Sequence, residues 1–190
     1  MNTEINMSVF EKFPRMESDR LVFRRFKKRD APDLFAIRSD PEVMRYMDVL
    51  PHNDELESLK MIKKIKKGYE KKESINWAIQ EKDNPEMIGY FGFWRLMKKD
   101  CRGEIGIALK KEHWRKGIMT ETFKVMLDFA FNKFQLHSIE ANVNEENTPS
   151  INLIEKFGFR KEAIFRENYF FNGIFLDSVI YSLLESDYQG

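Results

Sequence analysis

The chain has 190 residues, of which 42% are hydrophobic and 33% charged, enough to bury the core of one ordinary domain beneath a well-solvated surface. Its 32 basic and 31 acidic residues leave a net charge of +1, so no global field draws it to nucleic acid or to a membrane. No apolar run reaches the length of a transmembrane span, Met1-Asn-Thr-Glu4 lacks the charged-then-apolar plan of a signal peptide, and the single cysteine, Cys101, excludes an internal disulfide. A reducing cytoplasm is the expected compartment.

No repeat, low-complexity tract or linker divides the chain, which reads as one domain over residues 1–190. Alternation predicts a first strand from Arg20 to Phe26. Asp30-Ala-Pro and Asp40-Pro each join an N-cap residue to a proline near the first helical position. Asn53 to Lys72 reads as a helix with Leu59, Ile62 and Tyr69 on one side. Its lysines at 60, 63, 64, 66, 67, 71 and 72 form a dense basic run, read as a solvated face or as a dock for ribosomal RNA or an acidic partner. Ser74–Gln80 and Glu86–Met97 are predicted strands around the turn Lys82-Asp-Asn-Pro85, and Glu104–Leu109 is a third. From Gly117 to Phe134, Met119, Phe123, Met126, Ala130 and Phe134 make an apolar helical stripe opposite Glu121, Lys124, Asp128 and Asn132. His137–Val143 is a strand, Thr148-Pro149 opens a short helix stopped by Gly158, and two strands follow around the turn signal Asn172-Gly173. The predicted order is β-α-α-β-β-β-α-β-α-β-β, a mixed α/β sheet flanked by helices.

The most informative stretch is Glu104 to Phe159. A strand leads through the glycine-bearing turn Trp114-Arg-Lys-Gly-Ile-Met-Thr120 into a long helix. Unpaired N–H groups and the helix dipole make such a junction a phosphate cradle. No lysine-hydroxyl pair follows Gly117 and no G-x-G-x-x-G is present, which excludes both a nucleotide-hydrolysing loop and a dinucleotide fingerprint. Downstream lie Asn147-Thr-Pro-Ser150 and Glu155-Lys-Phe-Gly-Phe159, and upstream Ser39-Asp-Pro-Glu-Val-Met-Arg-Tyr46.

In these segments the chain resembles the GNAT superfamily of acyl-coenzyme A-dependent N-acetyltransferases, and within it the ribosomal-protein alanine acetyltransferase (Rim-type) branch. The likeness covers roughly residues 16 to 187. It implies a single-domain GNAT fold whose fourth and fifth strands, those at Glu104 and His137, splay to admit a pantetheine arm. The family's pyrophosphate loop falls on Trp114, Arg115, Lys116, Gly117, Ile118 and Met119, with Arg115 where glycine is frequent and Met119 in place of alanine or glycine. By resemblance, the backbone of Ile107, Ala108 and Leu109 binds pantetheine, Leu109 N–H holds the oxyanion, and the amides from Arg115 to Thr120 hold pyrophosphate. Asn142, Asn147 and Ser150 complete the acetyl-CoA site.

Acetyl transfer to an amine also needs a base and an acid. Glu104 is the candidate base, on one strand face with Gly106 and Ala108, unless it is only a strand-end ion pair; Glu167 is the runner-up. Ser150 is the candidate acid, since Ile154 stands where many relatives carry a tyrosine, unless the serine serves only to satisfy a helix N–H. Asn147 is read equally as ordinary turn chemistry. Phe91, Phe93, Trp94 and Tyr46 could wall an acceptor site or fill the core, which also accounts most simply for the 17 phenylalanines. His52, His113 and His137 lack metal-ligand spacing, so no metal is expected. The resemblance thus implies direct acetyl transfer to a primary amine, a protein N-terminal α-amine in the Rim-type branch, and admits a homodimer. A small amine such as a polyamine, amino-acid derivative or aminoglycoside stays open. So does a non-catalytic acyl-CoA-binding or ribosome-associated module, given the departures at Arg115 and Met119.

Overall fold

The alternating segments of the sequence all enter one sheet. In the computed structural model, which describes residues 4–188, its strands are β1 (Met16–Glu17), β2 (Leu21–Arg24), β3 (Ile75–Glu81), β4 (Gly89–Met97), β5 (Arg102–Leu109), β6 (Ser138–Val143), β7 (Arg160–Phe171) and β8 (Ile174–Leu184). They lie in the order β1-β2-β3-β4-β5-β6-β8-β7. The helices are α1 (Ala31–Ser39), α2 (Pro41–Met44), α3 (Glu55–Glu70), α4 (Ile118–Asp128) and α5 (Thr148–Lys156). This is the α/β fold expected, with a two-residue strand, β1, added in front. The fourth and fifth strands of the sequence reading are therefore β5 and β6.

Period-two alternation sorts side chains onto two faces. One face carries Leu21, Phe23, Trp77, Phe91, Phe93, Ile105, Ile139 and Leu183 and packs against Phe123, Met126 and Leu127 of α4 and Ile154 of α5. Phe91 meets Phe123 edge-on at 5.6 Å between centroids, and Trp77 meets Phe129 likewise at 5.2 Å. The second face carries Ala78, Tyr90 and Ala108 beneath Leu34 and Ile37 of α1, Val43 of α2 and Ile62 of α3. This helical layer covers only the β2–β5 half, so the same face of β6 and β8 carries the polar residues Glu140, Asn142 and Ser178.

The long helix predicted from Gly117 to Phe134 changes register instead of running through. After Asp128 it widens into a π turn over Phe129–Lys133, closed by Phe134 N–H to the Phe129 carbonyl at 2.8 Å. Ordinary helical spacing could not aim Phe129, Ala130, Phe131 and Phe134 at the core together; the wider turn buries all four.

Every strand pair is antiparallel except β5–β6. That parallel pair holds for three steps only, Arg102↔Ser138, Gly103↔Ile139 and Glu104↔Glu140. Beyond Glu104, β5 stays bound to β4 and β6 to β8, and the sheet opens between them. A bulge in β4 between Phe93 and Arg95 sits beside this point and adds the local bend and twist that carry β4 and β5 away. Among the described residues no helix is long and apolar enough to cross a membrane.

Candidate active site

The turn after β5 is held open at the helix N-terminus. Gly117 is the N-cap of α4 at φ +76°, and no side chain caps the helix. The first N–H groups of α4 therefore remain available to an anion. Arg115 also adopts a left-handed conformation, at φ +57°. This accounts for the frequency of glycine at that position in similar loops: any other L-residue bears a steric cost there. A Cβ at Gly117 would meet nothing closer than Arg20 Nη2 at 3.6 Å, so its positive φ, not crowding by the protein, calls for glycine.

Three side chains fix the turn. Trp114 Nε1 donates to the Leu109 carbonyl at 2.9 Å, folding the indole back on the end of β5. Lys110 Nζ reaches Asp33 Oδ1 of α1 at 2.7 Å. Arg20, ahead of β2, donates Nη1 to the Lys116 carbonyl at 3.2 Å and Nε to Glu121 Oε2 of α4 at 2.7 Å. Burial opposes ionisation of Glu121, but donors from Ser18 Oγ at 2.6 Å and from the Arg20 backbone and guanidinium outweigh it and hold its carboxyl below the usual range. Arg20, Arg115 and Lys116 thus bring three cations to one helix N-terminus. In sequence Arg20 reads only as the start of a strand, because its role at this turn depends on a partner 101 residues away.

Lys110 donates its N–H to Ile88, the residue before β4. Alternation then turns the N–H groups of Ile107 and Leu109 away from β4, into the opening where β6 no longer pairs. Ala108 faces the other way: its backbone belongs to the β4 ladder opposite Tyr90. Of the three expected pantetheine contacts, only Ile107 and Leu109 present free N–H groups. Across the opening, Asn147 caps α5, its Oδ1 accepting from Ser150 N–H at 3.2 Å. The capping role lies with Asn147, and the half-buried Ser150 makes no described hydrogen bond through its hydroxyl.

Glu104 lies on the face opposite α4, where the opening begins. It is 5% exposed. Arg95 Nη2 stands 2.6 Å from Glu104 Oε2 and donates to Glu140 Oε1 at 3.3 Å, while Arg102 Nε lies 3.5 Å from Glu140 Oε2. The Oε2 contact is a charge pair off the angle of a hydrogen bond, since that buried atom has no hydrogen-bond partner. Burial raises the Glu104 pKa above the ordinary carboxylate value; Arg95 opposes the rise and the neighbouring Glu140 adds to it. A buried carboxyl with elevated proton affinity is suited to accept a proton near neutral pH. Glu167, the alternative, is exposed at φ +49° within a β7 irregularity, its N–H on Asp177 Oδ1 at 2.8 Å.

The floor beside Glu104 is shaped by glycines. Gly92 and Gly106 face each other across β4 and β5; a Cβ on Gly92 would collide with the Asn76 amide, and one on Gly106 would stand 3.3 Å from Trp94 Cδ1. The bulge sets Trp94, 51% exposed, over Gly106, with Arg95 stacked on its ring at 5.5 Å. Trp94 can wall a groove. Phe91 and Phe93, expected as alternatives for that task, are fully buried on the opposite face, and Tyr46 is half-buried beside Arg45. Farther along, Asn142 Nδ2 and Asn168 Nδ2 both donate to buried Ser178 Oγ, at 3.3 and 2.8 Å, continuing a polar seam from Glu140. Asn142 thus faces the groove on the side away from α4. Arg95 and Glu140 carry no local signal in the sequence, since their roles exist only through strand register. The seven lysines of α3 and its C-terminus are all exposed. A separate shallow cavity of about 780 Å³, lined by Asn6, Pro14, Met16, Lys124, Val125 and Phe129, lies against the outer side of α4, away from these groups.

Comparison with known proteins agrees with this geometry. The acetyltransferase (GNAT) domain model matches residues 20–160. An uncharacterized N-acetyltransferase of Bacillus subtilis, YoaA, is 35% identical over 173 residues, 91% of this chain and 98% of its own. The spermidine N(1)-acetyltransferase of Vibrio cholerae is 26% identical over 173 residues, 90% and 96% of the two chains. The crystal structure of a GNAT-family acetyltransferase from Bacillus anthracis shares the fold with a TM-score of 0.80 at 24% identity, covering 91% of this chain and 99% of that one. An open β5–β6 junction, an uncapped helix N-terminus at its mouth and a matching family model over most of the chain lead to one conclusion: this protein belongs to the GNAT family and is an N-acetyltransferase.

Proposed function

We propose that the protein transfers the acetyl group of acetyl-CoA directly to a primary amine, with a protein N-terminal α-amine as acceptor. The observation that carries this reading is the coincidence of three features: free N–H groups at the start of α4, free N–H groups of Ile107 and Leu109 along the opening, and a buried carboxylate, Glu104, at its base. The pyrophosphate fits the N-terminus of α4 with Arg20, Arg115 and Lys116 around it, and the pantetheine amides extend β5 as an added strand. Glu104 takes a proton from the incoming ammonium, the amine nitrogen attacks the thioester carbon, and Leu109 N–H stabilises the oxyanion. Collapse expels the thiolate as the nitrogen gives its second proton to solvent; the thiolate takes the Ser150 hydroxyl proton, and solvent reprotonates the serine. Cys101, in the turn between β4 and β5, is 4% exposed, which favours direct transfer over an acyl-cysteine.

An α-amine with a pKa near ~8 is neutral in roughly one molecule in ten at pH 7, so a single moderately tuned carboxylate suffices for it. The spermidine-acetylating relative favours a second reading, a small polyamine acceptor. Thiol release from acetyl-CoA, measured with a panel of N-terminal peptides, polyamines and amino-acid derivatives, tests both. Absence of release with every amine, in protein whose melting temperature rises with acetyl-CoA, would reduce the protein to a binding module.

A further inference from the structure

The helical layer over β2–β5 and the C-terminal strands β6–β8 are joined across the groove at one point. The Tyr169 hydroxyl donates to the Asp48 carboxylate. Among the described residues, this is the one side-chain hydrogen bond or ion pair between the segment 27–72 and the segment 138–188. Asp48 lies between α2 and α3. Tyr169 pairs with Leu176 of β8, two residues from Ser178, and so projects on the face of Asn142 and Glu140. Leu176 lies beyond Val179, the partner of Val143 at the end of β6. The bridge therefore crosses the mouth of the opening, on the side from which Glu104 is approached.

The local backbone is bent to make this contact. Asp48 sits at φ +48° and Glu167 at φ +49°, beside the β7 irregularity between Phe165 and Tyr169. The Glu167 N–H on Asp177 and the Asn168 amide on Ser178 hold that irregularity in place and aim Tyr169. The one hydrogen-bond or ion-pair partner described for Asp48 is Tyr169; among the described residues no lysine or arginine forms a salt bridge with it.

We propose that Asp48 is the first docking point of a protonated acceptor amine and that Tyr169 is the gate which the amine displaces. An ammonium N–H is a stronger donor to a carboxylate than a phenol, so it replaces the Tyr169 hydroxyl on Asp48, parts the bridge and gains the groove leading to Glu104. This inference rests on the acceptor reading above and adds to it a cationic amine entering from the face opposite α4.

The two members of the bridge give opposite signs. Asp48→Asn retains a residue that tolerates φ near +50° but removes the charge; it is expected to weaken 1,4-diaminobutane binding to CoA-loaded protein about tenfold by calorimetry. The same variant raises the KM for this amine about tenfold at saturating acetyl-CoA. Tyr169→Phe removes the competing donor and lowers that KM severalfold. Neither variant changes the KM for acetyl-CoA. A merely structural bridge would shift both variants the same way, and that result, or a change under twofold in both, overturns the proposal. So does wild-type protein that fails to bind 1,4-diaminobutane. Amine binding that depends on Asp48, without acetyl transfer, sustains the docking site while rejecting the catalytic reading.

Discussion

Replacing Arg115 by glycine separates the two demands on the loop. Arg115 stands at φ +57°, where a β-carbon costs about 1–2 kcal/mol relative to the right-handed region. Glycine removes that cost, while its greater freedom in the unfolded chain returns roughly 0.5–1 kcal/mol. The net effect is a gain of about 0.5–1 kcal/mol, or about 1–4 °C in Tm for a chain of this size. The same change removes an exposed guanidinium from the helix N-terminus proposed to hold pyrophosphate. An exposed charge-assisted contact contributes on the order of 1 kcal/mol, so the acetyl-CoA Kd should rise about fivefold. Melting curves without ligand and across an acetyl-CoA titration read both quantities on one preparation. The expected signature is a higher ligand-free Tm with a smaller ligand-induced shift. A lower Tm with unchanged affinity would show that neither the backbone cost nor the charge at position 115 acts as described.

Glu104→Gln should lower turnover by about a hundredfold or more with little change in acetyl-CoA affinity, and should abolish the rise of kcat/KM with pH through the elevated Glu104 pKa. The sign for stability is the reverse: folded protein binds the Glu104 proton more tightly than the unfolded chain, so stability falls as pH climbs from 4.5 through the folded value. Glu104→Gln should therefore melt higher than wild type at pH 7 and similarly at pH 4. For Glu121 the folded pKa is depressed, so its contribution is present above 4.5 and lost as pH falls through the folded value; Glu121→Gln should cost about 1–2 kcal/mol at pH 7, a deficit that closes in acid melts. Ser150→Ala should reduce turnover about a hundredfold at unchanged Tm, whereas Asn147→Ala, which removes the α5 cap, should cost about 1 kcal/mol; the opposite assignment of Tm loss would return the cap to Ser150.

Much of this protein is legible residue by residue, because the forces involved are local. Strand alternation, the Asp40 cap, the Pro149 helix start and the Asn172-Gly173 turn, both residues of which have positive φ, depend on neighbours a few positions away. So does the Gly117 turn into α4, which is why the family could be read from a short segment. The remainder depends on register. Arg95 meets Glu104 and Glu140 only because a bulge shifts β4 by one residue and three parallel pairs bring β6 alongside β5. The backbone direction that withdraws Ala108 from the opening, the π turn that buries Phe131, and the buried faces of Phe91 and Phe93 are likewise consequences of pairing and packing. Arg20 reaches Glu121 across 101 residues, and Tyr169 reaches Asp48 across 121. A local pattern specifies which residues share a face; which faces and edges meet is decided when the whole sheet closes and buries its core, since a single shifted pair would send every one of these side chains to the other side.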